Sequence, residues 1–312
     1  MVESKHQWKA WLYLSPAIIL LLVFTVYPII NTLIMAFSNS YTPTATESKS
    51  PIGINNFIHL FSDEGLPIFW NCLKNTILLC VITVPISTFL ALLIAVALNS
   101  IKPLQKLLQT IFFLPYVTNT IAIGMVFAVM FNITGRIDDP SSIGVINTVI
   151  KAFGGEPVNW INANSSYWNN FFVVCAYIVW NALPFKILVL LGGLQSVNKQ
   201  YYEAAKVDGT SRWRTFWRIT VPMLSPMLAY VIITGFIGGF KEYNSVVGIF
   251  GDTMGPVGTQ EGTNMNTMVG MVYQFLGNGN YGVASAASLI LFLIIFAVTM
   301  LNMYVSKKKV RY

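Results

Sequence analysis

Long apolar runs alternate with shorter polar segments along this chain of 312 residues. A helix needs about 20 predominantly apolar residues to cross the hydrocarbon core of a bilayer, and six runs meet this length. Because lipid offers the backbone no hydrogen-bond partners, runs of this kind predict helices. The pattern predicts an all-α, polytopic membrane protein with a single transmembrane domain over residues 1–312. The predicted spans are residues 10–37, 72–98, 107–131, 168–191, 221–240 and 283–305.

Charged residues make up only 10% of the chain and hydrophobic residues 55%, whereas a soluble domain carries about 25% charged residues. The net charge of +7 is unevenly distributed. If both termini are cytoplasmic, the cytoplasmic segments hold thirteen of the nineteen basic residues but only Glu3, Glu203 and Asp208 among the acids. Such an excess of Lys and Arg is typical of cytoplasmic loops. The distribution of Lys and Arg therefore predicts a multi-pass protein of the cell membrane, in contact with lipid. It does not indicate nucleic-acid binding.

Residue types that carry chemistry are sparse. Cys72, Cys80 and Cys175 lie within or beside apolar runs without a CxxC spacing, and the two histidines are far apart, so neither a disulfide nor a metal site is expected. The spans contain no evident pair of nucleophile and base, so an enzyme is not expected. No GxxxxGK[ST] phosphate-binding loop occurs in the sequence. We therefore expect no cofactor, and any ATP would be bound by a separate protein.

A short charged segment, residues 198–222, connects the fourth and fifth predicted spans. It begins at a possible N-cap, Asn198, continues with good helix formers, and reaches Gly209, which can adopt the left-handed conformation that ends a helix. The small side chains of Ala204 and Ala205 would let another protein approach the backbone closely. Taken alone, the pattern also fits a connector helix that lies among the lipid headgroups.

Several motifs of this chain resemble those of the permease subunits of ABC importers. The resemblance to the cytoplasmic coupling loop of these permeases rests on Glu203-Ala204-Ala205, Asp208-Gly209 and Ile219-x-x-Pro222. Further matches point to the carbohydrate-uptake class, the family of the maltose-transporter membrane subunits, and the likeness covers nearly the whole chain. These further matches are Tyr27-Pro28, Phe69-Trp70-Asn71 with Asn75-Thr76, Leu114-Pro115, Trp180-x-x-x-Pro184 and Tyr281-Gly282-x-Ala284. Residues 198–222 are called the coupling loop from here on.

The resemblance implies a type I ABC importer permease fold and a function in the uptake of a sugar or oligosaccharide. It also implies four partners: a second homologous permease, two ATPase subunits that bind the ATP, and an extracytoplasmic solute-binding protein. The residues that would seat the coupling loop in the ATPase are Glu203, Ala204, Ala205, Asp208 and Gly209.

Two alternative functions stay open at this point. An importer of the same class could carry a polyamine, phosphate or a charged sugar. An ion-coupled secondary transporter is the second alternative, although it would be expected to show internal repeats and would not need a coupling loop.

By the same resemblance, the middle helices would line the substrate path. Polar groups inside a membrane usually face a cavity or one another, which supports this assignment. The expected lining residues are Thr118, Asn119, Thr120, Asn181, Ala182, Phe185, Gly235, Gly238, Gly239 and Glu242.

Alternatives remain open for several of these positions. The glycines could instead allow close packing of helices, and residues 118–120 could bond to carbonyls of their own helix. Lys186, within the fourth span, is expected to extend toward the inner membrane face. Pairing with Glu242 or with an acidic substrate are the other possibilities for this lysine. Lys241 and Glu242 could also be solvated at the outer end of their helix.

Overall fold

The computed structural model describes residues 7–39, 51–101, 105–135, 142–259 and 264–309. Within these residues the chain is helical and contains no β-strand beyond two isolated bridges, which confirms the predicted all-α class. In the described part of the chain, four helices are long and apolar enough to span a membrane, and the number rises to six if each of two bent helix pairs is one span. Parts of the predicted outer loops, residues 40–50, 136–141 and 260–263, lie outside the described residues.

The described residues divide into two compact units. One contains the residues up to Leu66 together with Met271–Phe292, and the other contains Pro67–Gly270 together with the residues from Leu293 onward. The helices, in chain order, are α1 (Gln7–Leu21), α2 (Tyr27–Ala36), α3 (Asn55–Leu60), α4 (Gly65–Ser100), α5 (Gln105–Val117), α6 (Thr120–Phe131), α7 (Val145–Ala152), α8 (Tyr167–Ser196), α9 (Gln200–Val207), α10 (Arg212–Thr215), α11 (Val221–Met223), α12 (Ser225–Phe240), α13 (Asn244–Phe250), α14 (Met268–Gly277) and α15 (Tyr281–Lys309).

The first predicted span is a peripheral helix of the first unit. α1 and α2 are joined by a π-helical turn, Leu22–Val26, and the most apolar stretch of this span is not buried within the chain. The short helix α3 is fixed to the end of α2 because the Asn56 amide donates hydrogen bonds to the carbonyls of Ala36 and Ser38, both at 3.0 Å. The apolar side chains of this span are thus available to lipid or to another subunit.

α8, like α4, contributes to two hydrophobic cores among the described residues of the second unit. In one core, Tyr177 of α8 packs with Leu79 of α4 and Val246 of α13. In the other, Leu190 of α8 packs with residues of α4 and α12, such as Val231. The middle of α8 therefore lies between two packed regions.

The predicted third span is not one helix. α5 and α6 meet at 97°, so the prediction of a continuous helix over residues 107–131 is wrong. Asn119 has an extended backbone, and its side chain caps α6 by accepting hydrogen bonds from the N–H groups of Ile121 (2.9 Å) and Ala122 (3.2 Å). A side chain that satisfies the free N–H groups at a helix start stabilises a new helix at that point. The polar residues at this position therefore mark a break in the span.

The fifth predicted span is also bent, by 69° at Leu224. α10 and a π-helical turn (Phe216–Thr220) precede it, and α11 forms its first three residues. Pro226 lacks an N–H group, and its ring would clash with the carbonyl of Pro222 in a straight helix. The chain therefore changes direction before α12 begins.

α13 packs on α6 at a pair of glycines. A Cβ atom added to Gly124 would lie 2.7 Å from the Cα of Gly248, and one added to Gly248 would lie 2.9 Å from the Cα of Gly124. The two backbones are therefore in contact, and a larger residue at either position would separate the helices. This contact holds α13 directly against α6.

Candidate functional site

A cavity of about 360 Å³ lies in the second unit among α4, α8 and α12, next to the break between α5 and α6. Its volume falls within the range of small-molecule sites, about 300–1,000 Å³. The structure brings together eight of the ten residues expected on the substrate path, namely Thr120, Asn181, Ala182, Phe185, Gly235, Gly238, Gly239 and Glu242. Thr118 and Asn119 are not among the lining residues. Thr118 donates a hydrogen bond to the carbonyl of Pro115 at 2.7 Å, as the local alternative predicted.

α8 supplies an amide and an aromatic face to the cavity. Asn181 and Phe185 are one helical turn apart, so both point to the same side. The described residues provide no hydrogen-bond partner for the Asn181 side chain, which leaves its donors and its acceptor free for a ligand. Pro184 lies between these two residues and lacks the N–H group that would bond to the carbonyl of Trp180.

Tyr116 is a cavity residue that was not predicted. Its ring stacks on that of Phe185, with centroids 6.0 Å apart and an interplanar angle of 19°. Tyr116 directly follows the Leu114-Pro115 motif, and this position was the available signal in the sequence. The two rings give the cavity an apolar face of the kind on which the C–H surface of a sugar can lie.

The glycines of α12 have two different environments. A Cβ atom on Gly235 would lie 3.0 Å from Cγ1 of Val84, and one on Gly239 would lie 2.8 Å from Sγ of Cys80. These two glycines allow α12 to pack closely on α4. At Gly238, by contrast, an added Cβ would meet nothing within 4 Å. Of the two alternatives left open by the sequence, close packing therefore applies to Gly235 and Gly239, and open space to Gly238.

The ammonium group of Lys186 is held inside the helix bundle. The side chain is only 5% exposed, and Nζ donates hydrogen bonds to Oγ of Ser87 (2.7 Å), Oγ1 of Thr88 (3.0 Å) and the carbonyl oxygen of Val84 (3.2 Å). The expectation that Lys186 extends toward the inner membrane face is wrong, because three acceptors on α4 satisfy it where it lies. Hydroxyl residues recur within the second apolar segment, but nothing in the sequence pairs them with Lys186.

Glu242 lies in the turn between α12 and α13. It is partly buried at the cavity wall, and its Oε1 accepts a hydrogen bond from the N–H of Ser245 at 3.0 Å. The hydroxyl of Thr267 donates to the backbone carbonyl of Glu242 at 2.7 Å. Lys241 is exposed. The expectation of a solvated pair therefore holds for Lys241, and it is wrong for Glu242 because its side chain and its backbone carbonyl both accept hydrogen bonds from the protein.

The coupling loop contains the predicted short helix, α9. Asn198 accepts a hydrogen bond from the N–H of Gln200 at 3.0 Å and so supports the helix start. Gly209 has a φ of +65°, its N–H bonds to the carbonyl of Lys206, and the N–H of Thr210 bonds to the carbonyl of Ala205. This pair of bonds is a Schellman motif, and the predicted left-handed end of the helix at Gly209 is confirmed.

One side of the coupling loop is exposed. Glu203, Ala204, Asp208 and Gly209 are exposed, whereas Ala205 is 6% exposed. The Cβ of Ala205 is turned toward its own chain, so Ala204 is the more accessible of the two alanines, and the contact of both with a partner stays a prediction. A groove of about 510 Å³ runs beside the helix and is lined by Tyr201, Ala204, Ala205, Asp208, Thr210, Arg214, Thr215, Arg218 and Ile219.

Residues 83–311 match the family described as binding-protein-dependent transport system inner membrane component. The chain belongs to this family. This inner membrane component is 30% identical to the lactose transport system permease protein LacF of Rhizobium radiobacter, over 96% of this chain and 95% of that protein. It is 28% identical to the arabinooligosaccharides transport system permease protein AraP of Bacillus subtilis, over 95% and 88% of the two chains.

A solved structure supports the fold of this inner membrane component. It is a bacterial ABC transporter involved in the import of the acidic polysaccharide alginate, with a TM-score of 0.77 over 98% of both chains and 24% identity. The predicted ABC importer permease fold is confirmed. The chain is therefore a permease of a binding-protein-dependent importer, and the roles of the cavity and of the coupling loop stay predictions.

Proposed function

We propose that this permease forms part of the translocation path of an ATP-driven importer for a sugar or oligosaccharide. The observation that carries the proposal is the composition of the cavity wall. The free amide of Asn181, the carboxylate of Glu242 and the ring of Phe185 surround the open space at Gly238. Hydroxyl groups of a sugar can bond to the first two, and its apolar face can lie on the ring. The printed names of LacF and AraP refer to saccharides and support the same class.

The coupling loop would receive the movement of an ATPase. Its exposed face includes Glu203, whose carboxylate can accept a bidentate arginine, and the apolar side chains of Tyr201 and Val207, of which Val207 is 87% exposed. An exposed apolar side chain on a short, capped helix suits insertion into a cleft of another protein. The ATP would stay on two separate ATPase subunits, and the permease would bind no cofactor.

The complete importer would also contain a second homologous permease and an extracytoplasmic solute-binding protein, in a cell membrane with both permease termini in the cytoplasm. Closure of the ATPase pair would press on α9 and turn the cavity toward the binding protein, which then releases its sugar. Each ligand and each nucleotide state shifts the equilibrium only by its difference in affinity for the two conformations.

Reconstitution of the importer into vesicles tests this proposal. We expect accumulation of labelled lactose or of an arabinooligosaccharide that requires ATP, the ATPase subunits and the binding protein. The variant Asn181→Ala is expected to lower this uptake by roughly fivefold or more, since it removes a polar contact inside a buried site. Leu188→Ala, on the exposed side of the same helix, is the matched control and should transport normally. Uptake without the ATPase, or uptake of polyamine or phosphate in place of every sugar, would contradict the proposal.

A further inference from the structure

The cavity lining contains two residues with formal charge, Lys186 and Glu242. They carry opposite charges, so the formal charge of the described lining is zero. No ion pair joins them among the described residues, where the ammonium bonds to α4 and the carboxylate bonds to the start of α13. Each group must therefore be assessed separately for what it can offer a ligand.

The ammonium group of Lys186 has no hydrogen left for a ligand. A lysine has three N–H donors, and three acceptors on α4 lie within 2.7 to 3.2 Å of Nζ. Two of these acceptors are hydroxyl groups, on Ser87 and Thr88, and a third is the carbonyl of Val84. A ligand anion could bond to the ammonium only by replacing one of these partners.

The two hydroxyl groups are themselves oriented toward the ammonium. The hydroxyl of Thr88 donates its proton to the carbonyl of Val84 at 2.7 Å, and that of Ser87 donates to the carbonyl of Thr83. Because each proton is used within α4, the lone pairs are left for Lys186. Helix geometry therefore holds both acceptors in place, and breaking either bond would leave a buried polar group without a partner.

Glu242 is different, because its carboxylate remains an acceptor on the cavity wall. The hydrogen bond from Ser245 occupies one position on Oε1, and an ionised carboxylate can accept several hydrogen bonds. Such a group can bond to sugar hydroxyls. It repels a carboxylate or sulfonate at the same place, and the cavity offers that anion no free cationic donor in return.

We propose that this half of the translocation path selects an uncharged saccharide and excludes acidic sugars. Lys186 acts as a positioning residue that ties α8 to α4, and Glu242 discriminates against a like-charged ligand. Selectivity of this kind comes from an unfavourable contact with the wrong ligand as well as from favourable contacts with the right one. The inference rests on the proposed function in sugar uptake and goes beyond it by naming the charge of the substrate.

The decisive experiment measures ligand binding to the complete importer in lipid nanodiscs without the solute-binding protein, so that the cavity alone determines selectivity. Ligand-observed NMR would compare three neutral disaccharides (lactose, maltose and trehalose) with digalacturonate, which has the same number of rings and two carboxylates. We expect at least one neutral sugar to bind at least about tenfold more tightly than digalacturonate. Repulsion between two negative charges within a partly buried site lowers affinity by about this factor or more.

Two variants and a control locate the effect in this chain. Glu242→Gln should raise the ratio of digalacturonate affinity to neutral sugar affinity by about fivefold or more, because it removes the negative charge and keeps a hydrogen-bonding side chain. Lys186→Met should not selectively weaken digalacturonate binding, because its ammonium does not contact the ligand. Lys241→Gln is the matched control, since this neighbouring lysine is exposed and lies outside the cavity lining, and it should leave the binding ratio unchanged.

The results separate this inference from the proposed function. Digalacturonate that binds wild-type importer as tightly as the neutral sugars, or that loses its binding in Lys186→Met alone, would overturn the inference and leave sugar transport standing. If none of the four sugars binds, both proposals fail. The wild-type comparison needs no variant, so a variant that does not fold leaves the inference open to refutation.

Discussion

In the coupling loop, the groups that start and end α9 bond to partners within five positions along the chain. On the cavity wall, Lys186 bonds to hydroxyl groups 98 and 99 positions away. The loop is thus determined by its own sequence, through Asn198 at one end and Gly209 at the other. The cavity exists only after α4, α8 and α12 have packed. A change in the loop should therefore affect transport before stability, and a change in the cavity packing should affect stability first.

The largest effect is expected from Gly209→Val. A β-branched residue at a φ of +65° costs roughly 1–2 kcal/mol of backbone strain, and the open space around Gly209 means that no steric clash is added. We expect the helix end to change its geometry and ATP-dependent uptake to fall roughly tenfold or more. Vesicle uptake measures the loss, and size-exclusion chromatography of the purified permease should show a folded protein.

Gly154→Val is the matched control for this variant. Gly154 has a φ of +80°, and an added Cβ would also meet nothing within 4 Å, but it lies outside both the coupling loop and the cavity. It should show the same strain with little change in uptake. Equal losses of uptake in Gly209→Val and Gly154→Val would contradict a special role of the coupling loop, because backbone strain alone would then explain both.

The two adjacent glycines of α12 give the second test, on the cavity side of the comparison. Gly239→Ala places a Cβ atom 2.8 Å from Sγ of Cys80 and should destabilise the packing by about 1–3 kcal/mol. Gly238→Ala meets nothing within 4 Å and should leave the thermal unfolding midpoint close to wild type. Thermal unfolding of the purified permease measures both. A Gly238→Ala variant as unstable as Gly239→Ala would show that the cavity does not open at Gly238.

The smallest effect is expected from Ser211→Ala. The Ser211 hydroxyl caps α10 by accepting a hydrogen bond from the N–H of Arg214 at 3.3 Å. Loss of an N-cap costs about 1 kcal/mol, here confined to a four-residue helix. We expect slightly faster amide hydrogen exchange in α10 and uptake within about twofold of wild type. A large fall in uptake would mean that α10 contributes directly to the contact with the ATPase.

The sequence predicted best those features that depend on local signals. Six apolar runs were located because the length of a span is set by bilayer thickness, and the end of α9 was located because Gly209 alone relieves the strain of a left-handed turn. The break at Asn119 was missed, although its signal is local. An Asn after a proline and a threonine was read as a polar patch on a helix, whereas its side chain starts a new one.

The environment of Lys186 could not be predicted, for a different reason. Its three acceptors belong to another helix about one hundred positions away, and nothing in the local sequence specifies which faces of α4 and α8 meet. The same holds for the separate environments of Gly238 and Gly239, which depend on where α12 crosses α4. The resemblance therefore predicted which residues line the cavity. It did not predict which of them pack against a neighbouring helix and which face the open space.

The backbone of α8 is a rod of roughly 45 Å that leads directly into the coupling loop. Pro184 removes one backbone hydrogen bond from α8, and a helix bends most easily where such a bond is missing. Asn181 and Phe185 flank that joint. A sugar bound to these two side chains would restrict bending of α8 at Pro184. Movement of the coupling loop would promote bending at the same position. Substrate binding and the action of the ATPase would then act on one point of the helix.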